Sequence, residues 1–197
     1  MTQFYIVRHG STELNKLKKI QGHNDSALTK EGCEDAIKIS KCLKNIGIQT
    51  IYSSDLGRAV KTAEIIAENI GFKDNIIKIK ELRELNFGIL TGMDHEEARK
   101  KFNGYRENPE IIIPQGESYL QLKERVMKKI YELEDKEIEK ALIVTHAGCL
   151  RCIMSEGQKI DIRDILNIEK AGEMGHDKII KIDVKDSKIN SYEIIKT

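Results

Sequence analysis

The chain has 197 residues and a formal net charge of +1, with 33% charged residues of nearly balanced sign. This balance produces no field that favours nucleic acid or an anionic membrane as a partner, so any anion-binding charge must be local. The length suits a single domain over residues 1–197. The amino end has no stretch with the features of a signal peptide, which predicts a cytoplasmic protein.

Six strand-like runs alternate with helical stretches along the chain. They cover residues 3–7, 50–52, 76–80, 141–145, 179–184 and 191–195. The alternation predicts an α/β fold with a mostly parallel sheet. Residues 141–144 are apolar without polar alternation, which is typical of a central strand covered on both faces.

Helix starts are visible between the strands. Thr29 precedes a helical stretch over residues 30–47, and the spacing of Asp94 and Glu97 predicts a capped helix over 94–102. A longer helix is predicted after Ser118. Its apolar positions predict one buried face made of Leu120, Val126, Ile130 and Leu133.

Two histidines follow predicted strands and are themselves closely followed by glycine. His9 lies in Arg8-His9-Gly10, and His146 lies in Thr145-His146-Ala147-Gly148. Ligands of open α/β sheets bind at the carboxyl ends of strands, so neighbouring strands would bring the two imidazoles together. A metal ion would also want carboxylates or thiolates in ligating positions, and neither strand end supplies them.

Arginine and glutamate complete a constellation suited to phosphoryl transfer. Arg8 adjoins His9, and Arg58 begins the helix after the second strand, so their guanidinium groups could clamp a phosphoryl group bidentately. The arginines also disfavour a cationic imidazole at His9, whereas a protonated His146 would help to stabilise the phosphoryl oxygens. Glu84 follows the third strand and is the candidate donor of the proton that a leaving oxygen needs.

These residues belong to an ordered set of motifs that runs from about Phe4 to Ile153. The set comprises Val7-Arg8-His9-Gly10-Ser11-Thr12, Gln21-Gly22, Leu28-Thr29, Tyr52-Ser53-Ser54-Asp55-Leu56, Arg58-Ala59, Thr62-Ala63, Leu82-Arg83-Glu84, Phe87-Gly88, Gly116-Glu117-Ser118 and Thr145-His146-Ala147-Gly148. It resembles the histidine phosphatase superfamily, which includes the cofactor-dependent phosphoglycerate mutases.

The resemblance implies a three-layer α/β/α fold of the phosphoglycerate mutase type and a phosphohistidine intermediate. His9 is then the nucleophile and Glu84 the proton donor, while Arg8, Arg58 and His146 hold the phosphoryl oxygens. Asn15 and Gln21 match further positions near the phosphate, where their amides would donate hydrogen bonds, although structural roles in the loop stay open. No metal or cofactor is implied.

The resemblance leaves the substrate and the acceptor open. It implies a phosphomonoesterase acting on a small phosphorylated metabolite, with α-ribazole phosphate or a broad set of esters as candidates. The alternatives are a phosphoglycerate mutase and a non-catalytic phosphate-binding module. The sequence departs from the family pattern at Ser11, Ala27 and Leu90-Thr91, and these departures affect the expected pocket rim rather than the charge clamp.

The remaining histidines and cysteines receive structural interpretations. His23 and His176 are predicted in loops and His95 at a helix start, each solvated or locally hydrogen-bonded. The pair Cys149-x-x-Cys152 has no second pair to complete a zinc site, so we predict buried thiols on a helix after a strand. Residues 111–113, three isoleucines before Pro114, could form a core edge, a pocket wall or a subunit contact.

Overall fold

The computed structural model describes residues 1–105, 107–167 and 175–197. Within these residues, six strands form one sheet in the order β3-β2-β4-β1-β5-β6. The strands are β1 (Thr2–Arg8), β2 (Thr50–Ser54), β3 (Ile77–Ile79), β4 (Lys140–Thr145), β5 (Lys178–Lys185) and β6 (Lys188–Lys196). Strands β3, β2, β4 and β1 are parallel, while β5 and β6 are antiparallel additions at one edge. The predicted α/β class is confirmed.

Helices cover both faces of this sheet. They are α1 (Glu13–Lys16), α2 (Lys30–Leu43), α3 (Gly57–Ile70), α4 (His95–Lys101), α5 (Tyr119–Glu132), α6 (Ala147–Gln158) and α7 (Ile162–Asn167). Alternate side chains of a strand point to opposite faces. In β4, Ile143 therefore joins the apolar cluster under α5 and α6, while Leu142 and Val144 join the cluster under α2 and α3. The arrangement has the three layers that the resemblance implies.

The order of the strands brings the candidate site residues to one edge of the sheet. Because β1 and β4 are parallel neighbours, with Arg8 opposite Thr145, the residues that follow them, His9 and His146, leave the sheet at the same edge. Strand β2 pairs with β4 on its other side, so the start of α3 with Arg58 lies at that edge as well.

Some predicted elements have different bounds. Helix α2 ends at Leu43 rather than at residue 47, because the amide of Ile46 closes a tighter turn onto the carbonyl of Leu43 and Gly47 adopts a left-handed conformation. Strand β3 is shorter than predicted, and β6 is longer. Helix α4 lies within the predicted stretch, and its N-cap Asp94 accepts from the amide of Glu97.

The predicted buried face of α5 was partly wrong. Leu120 is 41% exposed. The buried face begins at Tyr119 and continues with residues three and four positions apart, so the next residue, Leu120, points away from it. The buried residues of this helix are Tyr119, Leu122, Val126, Met127 and Ile130. Of the three isoleucines before Pro114, Ile113 is buried in the core and Ile112 is exposed.

Cys149 and Cys152 are buried thiols on α6, as predicted. No helix within the described residues is long and apolar enough to span a membrane.

Candidate active site

His9 is buried directly after β1, and its backbone contacts fix its ring. The imidazole Nδ1 lies 2.8 Å from the carbonyl oxygen of Gly10, which can only accept, so Nδ1 carries the proton and Nε2 the lone pair. Burial, followed by the charges of Arg8 and Arg58, holds the pKa of His9 well below its usual value. A neutral ring with its lone pair on Nε2 is the form that a nucleophile requires.

Arg58 is buried at the start of α3, and its fork is already occupied. Its Nη1 donates to the carbonyl of Asn24 at 2.7 Å and forms an ion pair with Asp25, while Nη2 donates to the carbonyl of Gly22 at 2.8 Å. Its Nε lies 3.3 Å from Nε2 of His9. Loop carbonyls thus hold the two terminal nitrogens of Arg58, and its Nε edge faces Nε2 of His9.

His146 lies beside His9, with 5.1 Å between the ring centroids. Its Nε2 is 2.8 Å from the hydroxyl of Ser54. Its Nδ1 is buried and has no hydrogen-bond partner among the described residues. Burial, followed by the charge of Arg58, holds the pKa of His146 well below its usual value, so the protonated ring considered from the sequence is not favoured. A neutral ring that accepts from Ser54 would instead offer its Nδ1–H to an anion.

Arg8 and Glu84 face the same cavity. Arg8 is partly exposed as a whole, but burial of its guanidinium lowers its pKa to about 10 despite the opposing attraction of Glu84. The carboxylate of Glu84 accepts from the amides of Leu85 and Gly148, at 2.8 Å and 3.0 Å. A Cβ at Gly148 would clash with Oε1 of Glu84, so only glycine permits this approach to the start of α6.

The cavity has a volume of about 390 Å³ and is lined by Arg8, His9, Asn15, Gln21, Arg58 and Glu84, among others. His146 is not part of its lining. The oxygen of Gln21 accepts from the hydroxyls of Thr12 and Ser26, which leaves its amide nitrogen to donate to an anion. The oxygen of Asn15 accepts from Thr12 in the capping box of α1, so a structural role is established for Asn15.

His23 and His176, which the sequence predicts to be solvated or locally hydrogen-bonded, contact two of the candidate catalytic residues. His176 Nδ1 lies 2.6 Å from the carbonyl oxygen of His9, and His23 Nε2 lies 2.9 Å from that of Glu84. Each ring must donate, because a carbonyl only accepts. His95 lines the outer cavity. Only the fold reveals these contacts, because no local signal marks either loop.

Sequence reasoning missed Arg125, which organises the loop that carries Glu84. Its guanidinium donates to the carbonyls of Glu81, Arg83 and Glu84 at 2.7–2.9 Å. It also forms a bidentate pair with Glu117, whose Oε1 accepts from the amide of Asn86. Sequence reasoning also missed Arg151. This residue lies four positions after Ala147 and therefore on the face of α6 that lines the cavity.

The described residues contain no group of three or more histidine, cysteine or acidic side chains that could hold a metal ion. The chemically active groups at this sheet edge are two neutral imidazoles, two arginines and a carboxylate. Their charges and free lone pair make this edge of the α/β sheet chemically suited to an anion.

The chain belongs to the histidine phosphatase superfamily (branch 1), whose family model matches residues 4–192. It is 40% identical over 164 residues to the probable phosphoglycerate mutase GpmB of Escherichia fergusonii, covering 79% of this chain and 74% of that protein. The solved structure of Bacillus stearothermophilus YhfR superposes with a TM-score of 0.85 at 28% identity, covering 97% and 95% of the two chains. The α-ribazole phosphatase of Shigella flexneri shares the fold, with a TM-score of 0.83 at 21% identity over 100% and 96% of the chains.

Proposed function

We propose that residues 1–197 act as one histidine phosphatase domain that hydrolyses small phosphomonoesters through a phosphohistidine at His9. The observation that carries this proposal is the state of His9: its Nδ1–H is held by Gly10, its ring is neutral, and its Nε2 lone pair faces Arg58 in the cavity. A buried, neutral imidazole whose lone pair faces a cation is suited to attack an anion that the same cation binds.

The reaction takes place in two steps. Nε2 of His9 attacks phosphorus while the bond to the departing alkoxide breaks, and the carboxyl of Glu84 gives that oxygen its proton. Water then attacks the phosphorus of the phosphohistidine, Glu84 takes up the water proton, and the P–N bond breaks. Inorganic phosphate leaves, and His9 returns to its neutral form.

Charge compensation comes from the protein in this proposal. Arg8 and the Nε edge of Arg58 would bind the phosphoryl oxygens, with Nδ1 of His146 and the amide of Gln21 as neutral donors. These groups would do what a divalent cation does in metal-dependent phosphoryl transfer. We therefore expect activity to survive treatment with a chelator, and we expect the protein to work in the cytoplasm on a small metabolite.

The test combines phosphate release with intact-mass measurement. Wild-type protein quenched under mildly alkaline conditions should carry one added phosphoryl group, and His9→Ala should carry none and lose turnover by at least about 10³-fold. Matching thermal unfolding of the two proteins would show that the loss is chemical. Substantial phosphatase activity in folded His9→Ala would overturn the proposal.

The second candidate is a phosphoglycerate mutase, which the 40% identity to GpmB favours. It uses the same groups but returns the phosphoryl group to a second hydroxyl of the bound substrate. Only 62 positions separate Glu84 from His146. We infer that a segment of this length covers the site incompletely, so that water can reach the phosphoenzyme. Phosphorus NMR with 3-phosphoglycerate decides the matter: inorganic phosphate supports the phosphatase, and 2-phosphoglycerate supports the mutase.

Phosphate release from a panel of esters, including α-ribazole phosphate and common sugar phosphates, would identify the preferred substrate. A non-catalytic phosphate-binding module predicts a different result: phosphate would raise the melting temperature, and neither turnover nor phosphoenzyme would be found with any ester.

A further inference from the structure

The segment Gly22-His23-Asn24 lies between the two halves of the site. The carbonyls of Gly22 and Asn24 accept from Nη2 and Nη1 of Arg58, at 2.8 Å and 2.7 Å. From the residue between them, Nε2 of His23 donates to the carbonyl oxygen of Glu84 at 2.9 Å. One three-residue segment therefore contacts both the arginine beside the nucleophile and the backbone of the proposed acid.

The backbone of this segment is held in place by its neighbours. The amide of Asn24 donates to the carbonyl of Gln21 at 2.9 Å. The carboxylate of Asp25 accepts from the amides of Gly57 and Arg58 at the start of α3. Because the main chain is fixed on both sides, the imidazole between them reaches the acid from a defined position.

The carbonyl of Glu84 accepts two hydrogen bonds, which use both of its lone pairs. Nη2 of Arg125 donates at 2.9 Å from α5, and His23 donates at 2.9 Å from the loop that follows α1. The preceding residue, Arg83, pairs with Asp55, but the contact of His23 is with Glu84 itself. Arg125 thus fixes the acid relative to α5, and His23 fixes it relative to the loop that holds Arg58.

The ring of His23 lies outside the reaction space. The described residues that line the active-site cavity do not include it, and it lines a separate cavity of about 340 Å³ with Arg83, Glu117 and Arg125. Burial, opposed by the hydrogen bond to Glu84 and aided by the charge of Arg125, lowers the pKa of His23. The ring is therefore neutral near pH 7, with its proton on Nε2, and it has no direct contact with a substrate in the cavity.

Building on the proposed function, we propose that His23 is a positioning residue that sets the distance between the carboxyl of Glu84 and a phosphoryl group bound at Arg58. The acid must lie within hydrogen-bond reach of the leaving oxygen, whose place is fixed by the phosphorus to which it is bonded. A displacement of about 1 Å in such a group can cost on the order of 100-fold in rate. Because Arg125 still holds the same carbonyl, loss of the His23 bond should cost less than that.

Two variants isolate the hydrogen-bond donor. His23→Phe keeps an aromatic ring and removes the Nε2–H, whereas His23→Gln places an amide donor near the same point. We expect His23→Phe to lower kcat for alkyl phosphates such as glycerol 3-phosphate by about tenfold, with little change in KM. His23→Gln should recover most of this loss. The first step with p-nitrophenyl phosphate should be nearly unchanged in both, because nitrophenolate leaves without a proton.

A double-mutant cycle with Glu84→Gln tests whether His23 acts through that carboxyl. In the Glu84→Gln background, His23→Phe should change kcat for alkyl phosphates by less than about twofold, since the group that it positions has gone. A residue that only stabilises the fold would lower activity by the same factor in both backgrounds. Thermal unfolding of each variant measures that structural effect separately.

The outcomes separate this inference from the function on which it rests. A loss confined to alkyl phosphates, recovered by His23→Gln and absent from the Glu84→Gln background, supports the positioning role. Equal losses with both kinds of ester, additive losses in the cycle, a His23→Gln protein as slow as His23→Phe, or wild-type kcat in folded His23→Phe would overturn it while leaving the phosphatase in place. Absence of phosphate release and of phosphoenzyme with every ester in the wild type would overturn the proposed function and the positioning role with it.

Discussion

Arg58 and His9 meet through a hydrogen bond of 3.3 Å between Nε of the guanidinium and Nε2 of the imidazole. The bond is possible because Gly10 holds the ring proton on Nδ1, and because the carbonyls of Gly22 and Asn24 hold the fork of Arg58. In the proposed mechanism, the same edge that faces the resting lone pair would bind the anion that His9 attacks.

Replacement of Arg58 by lysine should therefore damage catalysis although the charge is kept. Lysine has no Nε edge and cannot reach both carbonyls with one planar group. We expect kcat to fall by about 10²–10³-fold. Lys61→Arg, a charge-conserving exchange at an exposed position one turn along α3, serves as the matched control. Near wild-type turnover in Arg58→Lys would contradict the role of this edge.

Glu84→Gln should separate substrates by their leaving groups. Glutamine cannot donate a proton to an alkoxide, so alkyl phosphates should lose about 10²–10⁴-fold in kcat/KM. The first step with p-nitrophenyl phosphate should lose far less, because nitrophenolate leaves without a proton. Stopped-flow absorbance should then show a burst, because Glu84 is also needed to activate water. Glu81→Gln is the matched control, and equal losses with both substrate types would refute the acid role.

Arg125 should act as a positioning residue for Glu84. Arg125→Lys keeps the charge but loses the fork that joins three loop carbonyls to Glu117. Because a small displacement of a catalytic group is costly, we expect kcat for alkyl phosphates to fall by up to about 10²-fold with little change in KM. A merely structural role would lower activity toward p-nitrophenyl phosphate to the same extent, and that result would count against positioning.

Gly148→Ala tests the same carboxylate from the opposite side. The new methyl group would displace Oε1 of Glu84 and approach Leu122, whose Cδ2 would lie 3.1 Å away. A glutamate side chain can move aside, so we expect a folded protein with a pattern of substrate losses like that of Glu84→Gln. Thermal unfolding and the two classes of ester measure the two effects. Unchanged hydrolysis of alkyl phosphates would show that Glu84 works from another position.

His176 should make the protein sensitive to acid. Burial, followed by the charge of Arg8, lowers the pKa of His176 from 6.5 to about 4, against weaker opposition from Asp35 and Asp177. Between these pH values the unfolded chain binds a proton that the folded chain excludes, so stability falls as the pH falls below about 6.5.

The variant His176→Asn isolates this contribution, because the amide keeps a donor for the carbonyl of His9 but does not titrate. Its melting temperature should fall less steeply than that of the wild type between pH 6.5 and about 4. His146 titrates in both proteins, and the charge of His176 is the weakest of the effects that lower the pKa of His9, so the difference reports mainly on His176. Parallel curves for the two proteins would show that His176 is not the acid-sensitive group.

The sequence alone determined the α/β class, five of the six strands to within about two residues, and the residues at the carboxyl edge of the sheet. Strand–histidine–glycine junctions and the arginine at a helix start are local signals, because backbone geometry and charge act over a few neighbouring positions. The bounds of α2 and the buried face of α5 were less well predicted, since turns and packing decide them.

Only the tertiary structure decided how the predicted groups work. The orientation of Arg58 depends on the carbonyls of Gly22 and Asn24, and the neutral state of His146 depends on burial beside Arg58, and all of these partners are distant in sequence. Arg125 and His176 join the site through contacts that no spacing in the sequence predicts. Sequence patterns indicate which reactions a side chain is capable of. Its protonation and orientation depend on hydrogen-bond partners and desolvation, which exist only in the packed protein.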